Sequence, residues 1–238
     1  MEITVLLATV AVALAGGALG YALARRYPHF ARPLVALGFL LLAANLLPNI
    51  WTAHFYWLQP PSLLAESLLA SAFVLPGALA AGFGDSSSRR VLNALLAVLL
   101  AYFCMGGPLY FALYADEIRA WNAGVKDGVT IQTNVHACVP ASLATVLRRW
   151  GLEYTDGQVA YRVRTTNMGT AVPRVPGGVA DLGQIRQLQA RIANVTLEQL
   201  AKFNVPAVLL TYKGPAQHAR ALIGMREGKI VIGEPLRG

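Results

Sequence analysis

Twenty-two consecutive residues, 3–24, carry no charged side chain, and no other feature constrains the chain as strongly. Crossing the hydrocarbon core of a bilayer takes about 20 apolar residues in a helix, so this run is expected to span a membrane. Three further stretches follow the pattern. Residues 33–59 are uncharged, with the span expected to close near His54. Residues 63–83 carry only Glu66, near their start, and residues 91–114 are again uncharged. The first run reads as a retained helix. Met1-Glu2 lacks the basic start of a secretory leader, and Arg25-Arg26 follow the apolar run instead of preceding it. The expectation is an α-helical transmembrane region of four helices over residues 1–114.

Charge is distributed accordingly. Residues 1–114 hold five of the 20 Lys and Arg and three of the 12 Asp and Glu; residues 115–238 hold the rest. Arg25, Arg26 and Arg32 lie between the first two runs, and Arg89 and Arg90 between the last two. Basic loops stay on the cytoplasmic side, so both chain ends are expected to face outward. Trp51, Phe55, Tyr56 and Trp57, and then Tyr110, Phe111 and Tyr114, would sit at the outer interface. The implied location is a bacterial inner membrane, multi-pass, with an extracytoplasmic C-terminal domain and the lipid bilayer as a partner. Asn45, Asn49, His54 and Glu66 are read as structural polar groups near that interface. Gly16 and Gly20 allow close helix packing. The net charge of +8 reads as a solvated face, because no basic run is dense enough to argue for nucleic acid.

Residues 115–128 read as a polar juxtamembrane connector, and residues 129–238 as a separate domain. The chain has two cysteines, Cys104 in an apolar run and Cys138 beyond it. That separation argues against a disulfide and leaves no cysteine cluster for a metal. Around Cys138 the sequence is Gln132-Thr-Asn-Val-His-Ala-Cys138-Val-Pro140-Ala-Ser-Leu-Ala-Thr-Val-Leu-Arg-Arg-Trp150-Gly151. Pro140 suits a first helical turn. Leu143, Val146, Leu147 and Trp150 recur at helical spacing. Arg148 and Arg149 suit the last turn, and Gly151 the position after it. The helix is expected over 139–150, with Cys138 at its N-terminus. Unpaired N–H groups there stabilise a thiolate, the nucleophilic form of cysteine.

A strand is expected over 129–132, a short helix over 156–163 and a loop over 168–178. Helices over 180–192 and 196–203 should follow, and then strands over 205–211, 218–225 and 229–232. Helices first and sheet later is the order of an α+β domain.

Thiol chemistry on a carbonyl needs an imidazole in reach of the thiol. It also needs an acceptor that holds the imidazole tautomer and a donor for the developing oxyanion. Cys138, His218, Glu234 and Gln132 are the candidates. His218 opens one strand and Glu234 follows the next, so an antiparallel hairpin would set them side by side. His136 is a rival base, but a neighbour so close to Cys138 at a helix start points elsewhere. Asn194-Val195-Thr196 matches a glycosylation sequon, a pattern short enough to occur by chance.

These residues resemble the bacteriocin-processing peptidases. The resemblance rests on Gln132, Cys138 with the Pro-Ala-Ser-Leu-Ala run, His218 opening a strand, and the Glu234-Pro235 pair after Ile-Val-Ile-Gly. It covers residues 129–238. Those enzymes are papain-like, cut leader peptides after a Gly-Gly pair and are usually fused to ATP-dependent exporters. The resemblance implies an α+β papain-like cysteine peptidase domain, with Cys138 as nucleophile, His218 as base, Glu234 as orienting acid and Gln132 as oxyanion donor. It implies no cofactor or metal, and a further helical segment beyond Gly238. Two residues depart from the pattern: Val139 stands where the family has Gly, and Glu234 where it has Asp. The sequence also holds no phosphate-binding G-x-x-x-x-G-K-[ST] motif. The expected function is a membrane-anchored thiol endopeptidase acting on peptide or protein substrates. The alternative is an inactive papain-like module that recruits a peptide to a membrane export or assembly partner.

Overall fold

The computed structural model describes residues 2–29, 32, 33, 35, 36, 40, 95, 110, 111, 113–183, 187–202, 206–213, 216–226 and 229–238. Two compact units are present, residues 1–112 and 113–238.

In the first unit, α1 (Glu2–Arg26) forms over the first uncharged run and ends on Arg25-Arg26, where positive charge suits a helix C-terminus. The expected membrane region is corrected here. Among the described residues no helix is long and apolar enough to cross a membrane. The four-helix transmembrane architecture falls with this, and so does the multi-pass inner-membrane placement. All of the third run and most of the second and fourth lie outside the described residues. So do Asn45, Asn49, His54, Glu66 and Cys104.

The second unit starts earlier than the sequence suggests. Residues 113–119 are helical, and Ala115 and Ile118 are buried. The supposed connector thus belongs to this unit. It continues into a hairpin, β1 (Val125–Lys126) and β2 (Val129–Thr130), which pair antiparallel. Asp127 and Gly128 turn it with φ of 52° and 79°. Positive φ at both central residues is what a two-residue hairpin turn demands.

The central helix is α2 (Cys138–Arg149). Val139, Leu143, Ala144 and Leu147 recur on one face and are buried; a fully buried Leu contributes about 1.5–3 kcal/mol. Gly151, at φ 73°, ends the helix. Its N–H bonds Arg148 O at 2.9 Å, and the Leu152 N–H bonds Leu147 O at 3.1 Å, the paired closure of a Schellman motif. Trp150, expected on the apolar face, is instead the C-cap and is exposed.

Helix α3 (Asp156–Arg162) opens with a capping box between Thr155 and Gln158. Helix α4 (Val175–Leu182) begins inside the stretch read as a loop and ends at Gly183, well before residue 192. Pro176 sits in its first turn, where a missing N–H costs nothing. Helix α5 (Leu197–Lys202) follows Thr196, whose hydroxyl accepts the Gln199 N–H.

Strands β3 (Ala207–Lys213), β4 (Ala216–Arg226) and β5 (Lys229–Gly233) form an antiparallel sheet in the order β3-β4-β5. α2 packs on β4, and Ala219 of β4 joins Val139, Leu143 and Leu147 in the core. Core residues therefore alternate along β4 with the face that carries His218 and Arg220.

Candidate functional site

His218 and Glu234 meet. The imidazole Nε2 lies 2.6 Å from Glu234 Oε1. The other oxygen, Oε2, accepts from Arg220 Nε at 2.8 Å, and Oε1 also accepts the Leu236 N–H at 3.3 Å. The residues are half-buried. Burial raises the Glu234 pKa, but the bonds from His218, Leu236 and Arg220 and the charge of His218 outweigh it and hold the carboxyl below its ordinary value. Glu234 is therefore an ionised acceptor at neutral pH.

A defect in the sheet makes this meeting possible. Near the hairpin, Arg226 pairs Lys229, Met225 pairs Ile230 and Gly224 pairs Val231; beyond it, Leu222 pairs Ile232 and Ala221 pairs Gly233. Ile223 is the extra residue. Continued without it, the first register would put Glu234 opposite Ala221, on the core face. With it, Glu234 falls opposite Arg220 and diagonal to His218, on the other face. Bulges that re-aim a side chain recur beside functional sites. Glu234 then reaches along the diagonal, which the longer carboxylate side chain permits.

Cys138 is the first residue of α2, half-buried and not in a disulfide. The N-cap is Ala137, no side chain caps the helix and its first turn holds no acid. The first N–H groups are thus left without a competing carboxylate beside the sulfur. Val139 points into the core, 7% exposed, so its side chain does not occupy the space before the thiol. Among the described residues no hydrogen bond joins Cys138 to His218; α2 packs on β4, where the core residue Ala219 alternates with His218.

Gln132 lies in the loop before α2. Its Nε2 donates to Asn134 O at 2.7 Å, while Oε1 is buried with no hydrogen-bond partner among the described residues. An amide nitrogen carries two hydrogens, so one remains for a further acceptor. The loop is fixed from two sides. The Gln132 N–H bonds Pro235 O at 2.9 Å, which ties it to the residue after Glu234. The Thr133 N–H bonds Oδ2 of the fully buried Asp156 at 2.8 Å. Asn134 Oδ1 accepts the His136 N–H, turning the chain toward Cys138. The His136 ring has no carboxylate partner among the described residues, in contrast with His218.

Arg220, Asp156 and Asn134 were not foreseen in the sequence. Arg220 had a signal, since His218-x-Arg220 puts two carboxylate-binding side chains on one face of a strand. Asp156 read only as a helix start. Among the described residues no group of three or more His, Cys, Asp or Glu side chains could hold a metal.

No family model matches this chain, and no solved structure matches it. A curated protein of Methanothermobacter thermautotrophicus, described as uncharacterized, is 28% identical over 123 residues, which is 51% of this chain and 82% of the relative.

Proposed function

We propose that residues 113–238 form a cysteine peptidase that cleaves peptide or protein substrates, with Cys138, His218, Glu234 and Gln132 as its working residues. The observation that carries the reading is the 2.6 Å contact of His218 Nε2 with Glu234 Oε1. A carboxylate on Nε2 holds the proton there and leaves Nδ1 as the basic nitrogen. The reading requires that Nδ1, carried on the β4 face that alternates with the core, come within reach of the thiol at the N-terminus of α2 and take the Cys138 proton.

The thiolate attacks the substrate carbonyl carbon, forming a C–S bond and a tetrahedral oxyanion. The second N–H of Gln132 and the first N–H groups of α2 are the donors for that oxyanion. On collapse the C–N bond breaks, and the imidazolium proton leaves with the amine. Water then gives a proton to His218 and attacks the thioester, which releases the acid product and restores the thiol. Gly-Gly leader sites are the specificity that the family resemblance suggests.

A second reading is a module of the same fold that holds a peptide without cutting it. The missing thiol–imidazole hydrogen bond favours it, although catalytic hydrogen bonds are often loose before substrate binds. Incubation with a complex peptide mixture, followed by mass spectrometry of new termini, separates the two. Cleavage by the protein that Cys138→Ala abolishes supports the peptidase. Retention of peptides by both proteins, with no new termini, supports the binding module.

A further inference from the structure

The Glu234 carboxylate is claimed from both ends. His218 and Arg220 lie two apart on β4, which places their Cα atoms about 7 Å apart on one face. A carboxylate between them bonds Nε2 of the first at 2.6 Å and Nε of the second at 2.8 Å. Glutamate has one more rotatable bond than aspartate, so its carboxylate has more orientations to lose when it is held in one. Left with His218 alone, the carboxylate could turn about its last torsion and swap oxygens. Arg220 takes Oε2 and so commits Oε1 to the imidazole. The Leu236 N–H completes the hold on Oε1 at 3.3 Å.

We propose that Arg220 is a positioning residue of the site: by binding Oε2 it fixes the Glu234 carboxylate in the orientation that sets the tautomer of His218. The inference rests on the peptidase reading for its functional meaning, while its structural content stands on the sheet alone. Arg220 is partly exposed, with 36% of its side chain in solvent, so its loss should not unfold the protein. An exposed ion pair contributes little to stability.

The test has two readouts on the full chain. The first is the ¹⁵N spectrum of the imidazoles at pH 8, with His218 assigned by His218→Ala. The wild type should show His218 as a single Nε2–H tautomer. Arg220→Ala should show a mixture, and Arg220→Lys, which can still donate to Oε2, should restore the single form. The second is alkylation of Cys138 by iodoacetamide at pH 6. Arg220→Ala should slow it about tenfold, equivalent to about 1.4 kcal/mol, with the lysine variant within about threefold of wild type on the same scale.

An unchanged tautomer and unchanged alkylation in Arg220→Ala overturn the proposal. If His218→Ala still slows alkylation in that case, the peptidase reading stands without Arg220. If the tautomer responds to Arg220 but alkylation responds to neither residue, the positioning is real and the peptidase reading fails.

Discussion

Replacing Glu234 by Asp is the informative substitution, because it keeps the charge and removes one methylene. Continued one residue past the Ala221–Gly233 pair, the register sets Glu234 opposite Arg220, with His218 on the diagonal. Its backbone cannot slide toward His218. The Gln132 N–H holds Pro235 O at 2.9 Å, and the Gly238 N–H closes on Glu234 O at 2.9 Å. Removing one methylene withdraws the carboxylate by a C–C bond length, about 1.5 Å at most. Added to the present 2.6 Å, this leaves an oxygen too far from Nε2 for a hydrogen bond. A bond involving a charged group is worth about 1.5–3 kcal/mol, and each 1.4 kcal/mol is about a factor of ten in rate. Glu234→Asp should therefore slow alkylation of Cys138 by iodoacetamide at pH 6 by about tenfold or more. Thermal stability should fall by less than about 1 kcal/mol, since the pair is partly exposed. A Glu234→Asp protein that reacts as fast as wild type would refute the register argument.

Two other outcomes are expected. The Glu234 carboxyl is held below its ordinary value in the folded state. Its contribution to stability is therefore present above the unfolded pKa and is lost as pH falls through the folded one; urea titrations from pH 7 to 3 should show this loss, and Glu234→Gln should flatten that part of the curve. Gly157→Ala should destabilise the second unit by about 1–3 kcal/mol or more in urea denaturation, because a Cβ there would lie 2.6 Å from Ile118 O, Trp121 N and Trp121 O. An unchanged midpoint would mean that the backbone of Ile118 and Trp121 does not lie against Gly157.

The sequence made the local signals of the second unit plain. Pro140, the apolar spacing of Leu143 and Leu147, and Gly151 together define α2 to within a residue or two. Thr196 marks one more helix start. What escaped was tertiary. The Asp127-Gly128 turn was legible as a hairpin signal, but it lay in a stretch whose polarity read as a connector. Helix α4 was displaced because Pro176 and Gly177-Gly178 look like loop residues, whereas Pro fits a first turn and Gly178 lies close against Val163 and Arg162. The pairing of His218 with Glu234 follows from strand order. The bulge at Ile223 and the part of Arg220 depend on register, which alternation alone does not specify. Long uncharged runs in the first unit suggested membrane spans, whereas among the described residues no helix is long and apolar enough to cross a membrane.

The most direct measurement is iodoacetamide labelling of Cys138 between pH 4 and 9, comparing wild type with His218→Ala. An unassisted thiol is mostly protonated at pH 6 and reacts slowly there. The account predicts rapid alkylation of Cys138 at pH 6 that is lost in His218→Ala. Alkylation that rises only above about pH 8, and is the same in both proteins, would contradict a working Cys138–His218 pair.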